Sequence, residues 1–196
     1  MKSILTVLIA ACIIAACSQG DKKKSSSKNE KSSVDAKHLL TKEGIGELKI
    51  GMLQKDIEKL LGQALQMKHA KDTGEIWSDT AVAKYGDMDV ELYFQRSYRE
   101  EHKDEMELFG MSTGSTLCKT AEGVGVGDDR NAILEAYPDN PITMGPDSYM
   151  VNDTTWALSK TDYFINVSDD KWDKQINFRL VNKKVTKMEA SLNMGE

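Results

Sequence analysis

Staples, backbone punctuation and metal ligands are all scarce in this chain. Its 196 residues hold three Cys, three Pro and three His. Beyond His38 the only cysteine is Cys118. No disulfide can close within that part, and an exported domain without staples must rely on its apolar core. Pro138, Pro141 and Pro146 crowd into one short stretch. His38, His69 and His102 stand far apart, with no second His or Cys at ligand spacing, so neither a zinc site nor another cofactor is expected. Lys and Arg number 26 against 31 Asp and Glu, an acidic balance that argues against nucleic acid as a partner. No apolar run reaches the roughly 20 residues that span a bilayer.

Catalytic signatures are missing as well. Ser112-Thr113-Gly114-Ser115 lacks the nucleophile elbow and an identifiable base. Gly44-Ile45-Gly46 and Gly123-Val124-Gly125-Val126-Gly127 lack the terminal Lys-Ser/Thr of a phosphate loop and read as turns. Asp128-Asp129 and Asp169-Asp170-Lys171-Trp172-Asp173 lack the alternating ligands of a calcium loop. Cys118 reads as an inert thiol at the end of a strand. The chain is expected not to be an enzyme.

The N-terminus carries the strongest positive signal. Lys2 precedes an apolar run from Ile4 to Ala16, which has the length and small-residue exit of a secretory signal. Its end, Ile14-Ala15-Ala16-Cys17, resembles the lipobox of bacterial lipoproteins. That resemblance implies a signal peptide over residues 1–16, with Cys17 acylated as the mature N-terminus and membrane lipid as its partner. Cys12 follows a similar Ile9-Ala10-Ala11, but a cut there would leave further apolar residues behind it. Ser18 after the cysteine resembles outer-membrane retention, so the expected place is the cell envelope, anchored at the outer membrane. Residues 17–37 follow as a Lys- and Ser-rich tether with almost nothing apolar, expected to stay disordered. Its typical reach is about 25 Å. It reads as a solvated spacer or as a basic strip resting on anionic headgroups.

Residues 38–196 read as one sequence written twice, over about 41–117 and about 118–194. Thr41-Lys42-Glu43-Gly44-Ile45-Gly46 is echoed by Thr120-Ala121-Glu122-Gly123-Val124-Gly125. After a three-residue slip, Ile50-Gly51 matches Val126-Gly127 and Ile57 matches Ile133. Each copy opens with a short extended piece and a glycine turn, at Gly51 or Gly127, followed by a short amphipathic helix. Leu53, Ile57, Leu60 and Leu61 form the first stripe, stopped by Gly62; Ile133, Leu134 and Tyr137 form the second, capped by Asp128 or Asp129. Asn140-Pro141 and Gly145-Pro146 predict an irregular loop. The apolar period then becomes two. Strands are expected at Val82 to Tyr85, Met88 to Gln95 and Glu105 to Met111. In the second copy they are expected around Trp156 to Leu158, at Tyr163 to Val167, Ile176 to Val181 and Val185 to Leu192. The expected fold is α+β: two tandem helix-plus-antiparallel-meander repeats, with the helices packed on one face of the sheet.

The phrase Gly44-Ile45-Gly46-Glu47-Leu48-Lys49-Ile50-Gly51-Met52, with a helix ending Leu60-Leu61-Gly62, resembles the repeat of exported β-lactamase-inhibitor-like domains. It is also similar to the small lipoprotein of the outer-membrane assembly machinery, which carries such an opening once. The resemblance implies binding of other proteins through the open sheet face or its loops, and it brings no catalytic residues. Neither repeat has the cysteine pair of the inhibitor pattern, a departure that counts against β-lactamase inhibition in particular. Tyr93 alternates against Met88, Val90, Leu92 and Phe94, and Phe164 against Tyr163, Ile165 and Val167, while Trp156 and Trp172 sit near strand ends or loops. Aromatics on an exposed sheet face anchor protein partners; the alternative is that these rings pack under loops or form a second core. The expectation is a lipid-anchored, non-enzymatic envelope lipoprotein that binds another envelope or extracellular protein. The competing expectations are a small-ligand-binding or enzymatic envelope protein with a loop-built site, and an immunity or inhibitor protein.

Overall fold

Alternation of apolar and polar residues with a period of two builds most of the molecule. The computed structural model describes residues 34–70, 78–152, 155–171 and 173–193, all within one compact unit. The signal peptide, Cys17, most of the tether and Trp172 lie outside the described residues. The architecture is mostly-β α+β, with two short helices, a four-stranded mixed sheet and a seven-stranded antiparallel sheet. No helix among the described residues is long and apolar enough to cross a membrane.

The small sheet comprises β1 (Leu39–Thr41), β2 (Gly44–Ile45), β3 (Leu48–Lys49) and β7 (Lys119–Thr120), in the order β3-β2-β1-β7. The large sheet comprises β4 (Asp79–Tyr85), β5 (Met88–Arg96), β6 (Met106–Thr113), β8 (Ile142–Asn152), β9 (Thr155–Ser168), β10 (Lys174–Val181) and β11 (Lys184–Leu192). Its order is β4-β5-β6-β11-β10-β9-β8, so two meanders meet through their last strands, β6 and β11. On the core face lie Met88, Val90, Leu92 and Phe94 of β5, Phe178 and Leu180 of β10, and Val185, Met188 and Ala190 of β11, all buried.

Helix α1 (Gln54–Leu61) and helix α2 (Arg130–Ala136) serve that same core through Ile57 and Ile133, both fully buried. Gly62 takes the left-handed conformation that ends α1. Asp129, one of the two predicted caps, accepts hydrogen bonds from the Asn131 and Ala132 N–H groups. Leu60 is turned outward. A strap ties each helix start to a central strand. The Gly51 N–H donates to the Leu108 carbonyl at 2.8 Å, and the Leu108 N–H returns to the Met52 carbonyl at 2.9 Å. The Gly127 N–H donates to the Val185 carbonyl at 2.9 Å, and the Val185 N–H returns to the Asp128 carbonyl at 2.8 Å. Both glycines sit at positive φ, +90° and +96°, where a side chain is strained.

The structure corrects several expectations. It shows no clear tandem repeat: three strands make the first meander and four the second, and β3 has no counterpart in the later half. The predicted loop through Pro141 and Gly145-Pro146 is largely strand β8. Proline is tolerated there because β8 is an edge strand, and the register shifts between Pro146 and Ser148. The two strands expected around Trp156 and Tyr163 are one strand, β9, interrupted opposite that shift. Where β9 bulges, the Ser159 hydroxyl accepts the Thr161 and Asp162 N–H groups, satisfying donors the ladder loses.

Candidate functional site

The face of the large sheet turned away from the core carries a row of polar residues across five strands. Glu91 of β5 stands opposite Ser112 of β6, and Ser112 opposite Glu189 of β11. Glu189 stands opposite Asn177 of β10, and Asn177 opposite Asn166 of β9. Period-two alternation places them there, because each neighbours residues that enter the core. Two aromatics flank the row. Tyr93 stands opposite Gly110 and Phe164 opposite Gly145. A Cβ added at Gly110 would meet the Tyr93 ring at 3.3 Å, and one at Gly145 the Phe164 ring at 3.2 Å. Glycine on the facing strand is what lets each ring lie close against the sheet.

Between these rings lies a concavity of about 410 Å³, also lined by Asp147, Asn166, Asn177, Arg179, Lys187 and Glu189. Its cations are engaged. The Lys187 ammonium donates to the Glu91 carboxylate at 2.6 Å and to the Tyr93 hydroxyl at 3.0 Å. The Tyr93 hydroxyl also donates to Glu91 at 3.0 Å and lies 2.8 Å from the Ser112 hydroxyl. Arg179 pairs with Asp147 at 2.8 Å. Burial pushes the Glu91 carboxyl up, but the Lys187 and Tyr93 hydrogen bonds outweigh it and hold the group below the usual carboxylate range. Burial likewise opposes the charge on Lys187, and the bonds to Glu91 and Tyr93 outweigh it, so its pKa is raised.

Glu189 differs. It belongs to no ion pair among the described residues, and burial raises its pKa, offset only in part by a Ser191 hydrogen bond and the field of Lys187. A carboxyl whose folded pKa lies above its unfolded value contributes stability below the unfolded pKa. That contribution is lost as pH rises through the folded value. Glutamine cannot ionise. Glu189→Gln is therefore expected to raise the thermal midpoint at pH 7, with the gain shrinking as pH falls toward the ordinary carboxylate range. Melting curves across that pH span check it, and a gain independent of pH would contradict it. The Asn166 Oδ1 nearby is buried with no hydrogen-bond partner.

The structure thus brings Tyr93 and Phe164 together on one open face. Trp156 stands apart, on an arm formed where β8 and β9 run past the rest of the sheet. Strand β10 pairs only with Asp162–Ser168 of β9, so residues 155–158 pair with β8 alone. Tyr149, Met150, Val151, Trp156 and Leu158 are all exposed there, Trp156 and Leu158 by more than 60% (62% and 65%). Gly51 and Gly127 serve the helix starts. Lys187, Glu189, Asn177, Arg179, Asn166 and Asp147 were not foreseen. Alternation against Met188 and Phe178 marks the residues of β10 and β11 as outward, but nothing local says these strands adjoin β9.

A second groove, about 690 Å³, lies by the start of α2, with Met144, Tyr163, Ile165 and Leu180 among its lining residues and Asp129, Arg130, Lys183 and Lys184 charged. Cys118 is buried, which pushes its thiol up to about 12, so it is uncharged at neutral pH. Among the described residues no group of three His, Cys, Asp or Glu side chains is placed to hold a metal ion. The Asp128 carboxylate instead takes the Gly125 N–H at 2.7 Å, and Asp169 the Asp173 N–H at 2.9 Å. No family model, no curated protein and no solved structure matches the chain.

Proposed function

We propose that the protein is a lipid-anchored envelope lipoprotein, acylated at Cys17, that binds another protein without catalysing a reaction. The observation that carries this reading is the β8–β9 arm. Five large apolar side chains stand exposed on one two-stranded ribbon, which has little stability in water alone. By register Met150, Trp156 and Leu158 share one face of the ribbon, with Tyr149 on the other, and exposed apolar clusters containing Trp are a usual mark of a protein-binding surface. The Tyr93–Phe164 face is the second contact surface. Its volume falls in the range of small-ligand sites, but its lining is charged and open where such sites are mostly apolar and enclosed.

A photo-crosslinker at Leu158 in native membranes tests the reading. One discrete protein adduct is expected, lost in Tyr149→Ser/Trp156→Ser, with a thermal midpoint within a few degrees of the parent because both rings are already solvated. An adduct that survives the double substitution, or a variant that unfolds, would count against it.

The finer fold reading, an ancestral duplication, is supported by the paired straps at Gly51 and Gly127. Neither glycine has a close backbone obstacle: an added Cβ at Gly51 meets only Glu107 Oε1 at 3.5 Å, and one at Gly127 meets nothing within 4 Å. Gly51→Ala and Gly127→Ala should therefore cost similar amounts, about 1–3 kcal/mol each from backbone strain alone. At roughly 2–4 °C per kcal/mol for a chain of this size, both midpoints should fall by comparable, measurable amounts. A loss at one site only would speak against equivalent roles.

A further inference from the structure

We propose that the Glu189 carboxylate and the Asn166 Oδ1 form the seat for an arginine side chain presented by the partner protein. This rests on the protein-binding reading and adds the chemistry of the contact. Three carboxylates, Glu91, Asp147 and Glu189, face two cations, Arg179 and Lys187, on this surface. Arg179 is taken by Asp147 and Lys187 by Glu91. One acid is left over, and it stands in line with Asn166, whose buried Oδ1 lacks a donor among the described residues, with Asn177 between them. Both groups are acceptors: Glu189 takes a Ser191 hydrogen bond but no ion pair among the described residues, and the Asn166 Oδ1 takes none.

An incoming anion would have to displace Asp147 or Glu91 from its cation and approach an unpaired carboxylate. An incoming cation completes the charge balance. Arginine fits better than lysine for two reasons. Its five donors lie in a planar fork that can engage two acceptors on different strands, whereas an ammonium is a point charge. The Phe164 ring on the same concavity offers a face on which a guanidinium stacks. A carboxyl buried without an ion-pair partner costs stability in the free protein, and a docked cation offsets that cost.

The test uses the full chain in detergent micelles, titrated with N-acetyl-arginine amide. The neutral isostere N-acetyl-citrulline amide and N-acetyl-lysine amide run beside it. The readouts are the Glu189 side-chain carboxyl carbon and the Asn166 side-chain amide by NMR. Saturable shifts at both residues are expected with the arginine probe, with a millimolar Kd, and none with citrulline. Affinity should drop by at least about tenfold in Glu189→Gln, since a charge-assisted bond is lost, while that variant keeps its raised midpoint at pH 7. No saturable shift at either residue, equal binding of citrulline or of lysine amide, or undiminished binding by Glu189→Gln would each overturn the proposal. If the arginine probe fails while the Leu158 adduct persists, this inference falls and the protein-binding reading stands; if the adduct is lost too, both fall.

Discussion

Cys17→Ala should move the protein almost entirely from the membrane pellet to the soluble fraction. The expectation follows from the Ile14-Ala15-Ala16-Cys17 string and from the arithmetic of lipid anchoring. A buried methylene contributes about 0.8 kcal/mol, so one acyl chain binds reversibly while two or three bind stably. Once the apolar run Ile4 to Ala16 is cut away, only the Lys-rich segment behind residue 17 remains, and each lysine near an anionic surface contributes about 1 kcal/mol, screened by salt. Residual membrane association should then wash off at high ionic strength. Fractionation and radiolabelled palmitate check this. Continued palmitate incorporation by Cys17→Ala would overturn the lipoprotein reading and leave the fold untouched.

Gly44→Ala should be the most damaging single methyl group in the described part of the chain. Gly44 is buried at φ +142°, and an added Cβ would stand 2.0 Å from the Leu48 carbonyl oxygen and 3.0 Å from its carbon. No side-chain rotation relieves a clash with backbone. Strands β2 and β3 would have to part, breaking the pairings Gly44↔Lys49 and Ile45↔Leu48. Ile45 and Leu48 are both fully buried, so water would reach the core beneath them. Clash and lost burial together put the cost beyond about 4 kcal/mol, the range kept for disruptive core changes. The midpoint should fall by about 10 °C or more. Gly123→Ala is the control. It occupies the matching place in the second half of the sequence, at φ +92°, with nothing within 4 Å of an added Cβ, and should cost only the strain of about 1–3 kcal/mol. Equal losses at the two positions would show that φ, and not the Leu48 carbonyl, sets the penalty.

The contrast between those two glycines shows where sequence reading stops. Both are legible as turn residues, and both take positive φ. Only Gly44 is followed by the three-residue insert Glu47-Leu48-Lys49, which folds back as β3 and presses a carbonyl onto it. Tyr93 shows the same division. Its alternation against Val90, Leu92 and Phe94 places it opposite the core. The Glu91–Lys187 pair that holds its hydroxyl joins residues far apart in the chain. Strand β8 departs from the expected loop for a different reason: Pro146 within it and Pro141 just before it argue for a loop wherever both edges of a strand are paired, and β8 has one free edge.

What depends on a residue and its near neighbours was therefore already set along the chain: the inward and outward faces of β5, β10 and β11, the Asp129 cap, the Gly62 stop, and the positive-φ turns at Gly51 and Gly127. Periodicity and backbone preference act over a few residues, so they survive without knowledge of the fold. The order of strands, the polar row from Glu91 to Asn166, the lack of an ion pair for Glu189 among the described residues and the exposed β8–β9 arm came only with assembly. Charge balance and solvent exposure depend on which strands lie side by side, and no local pattern encodes that β6 meets β11.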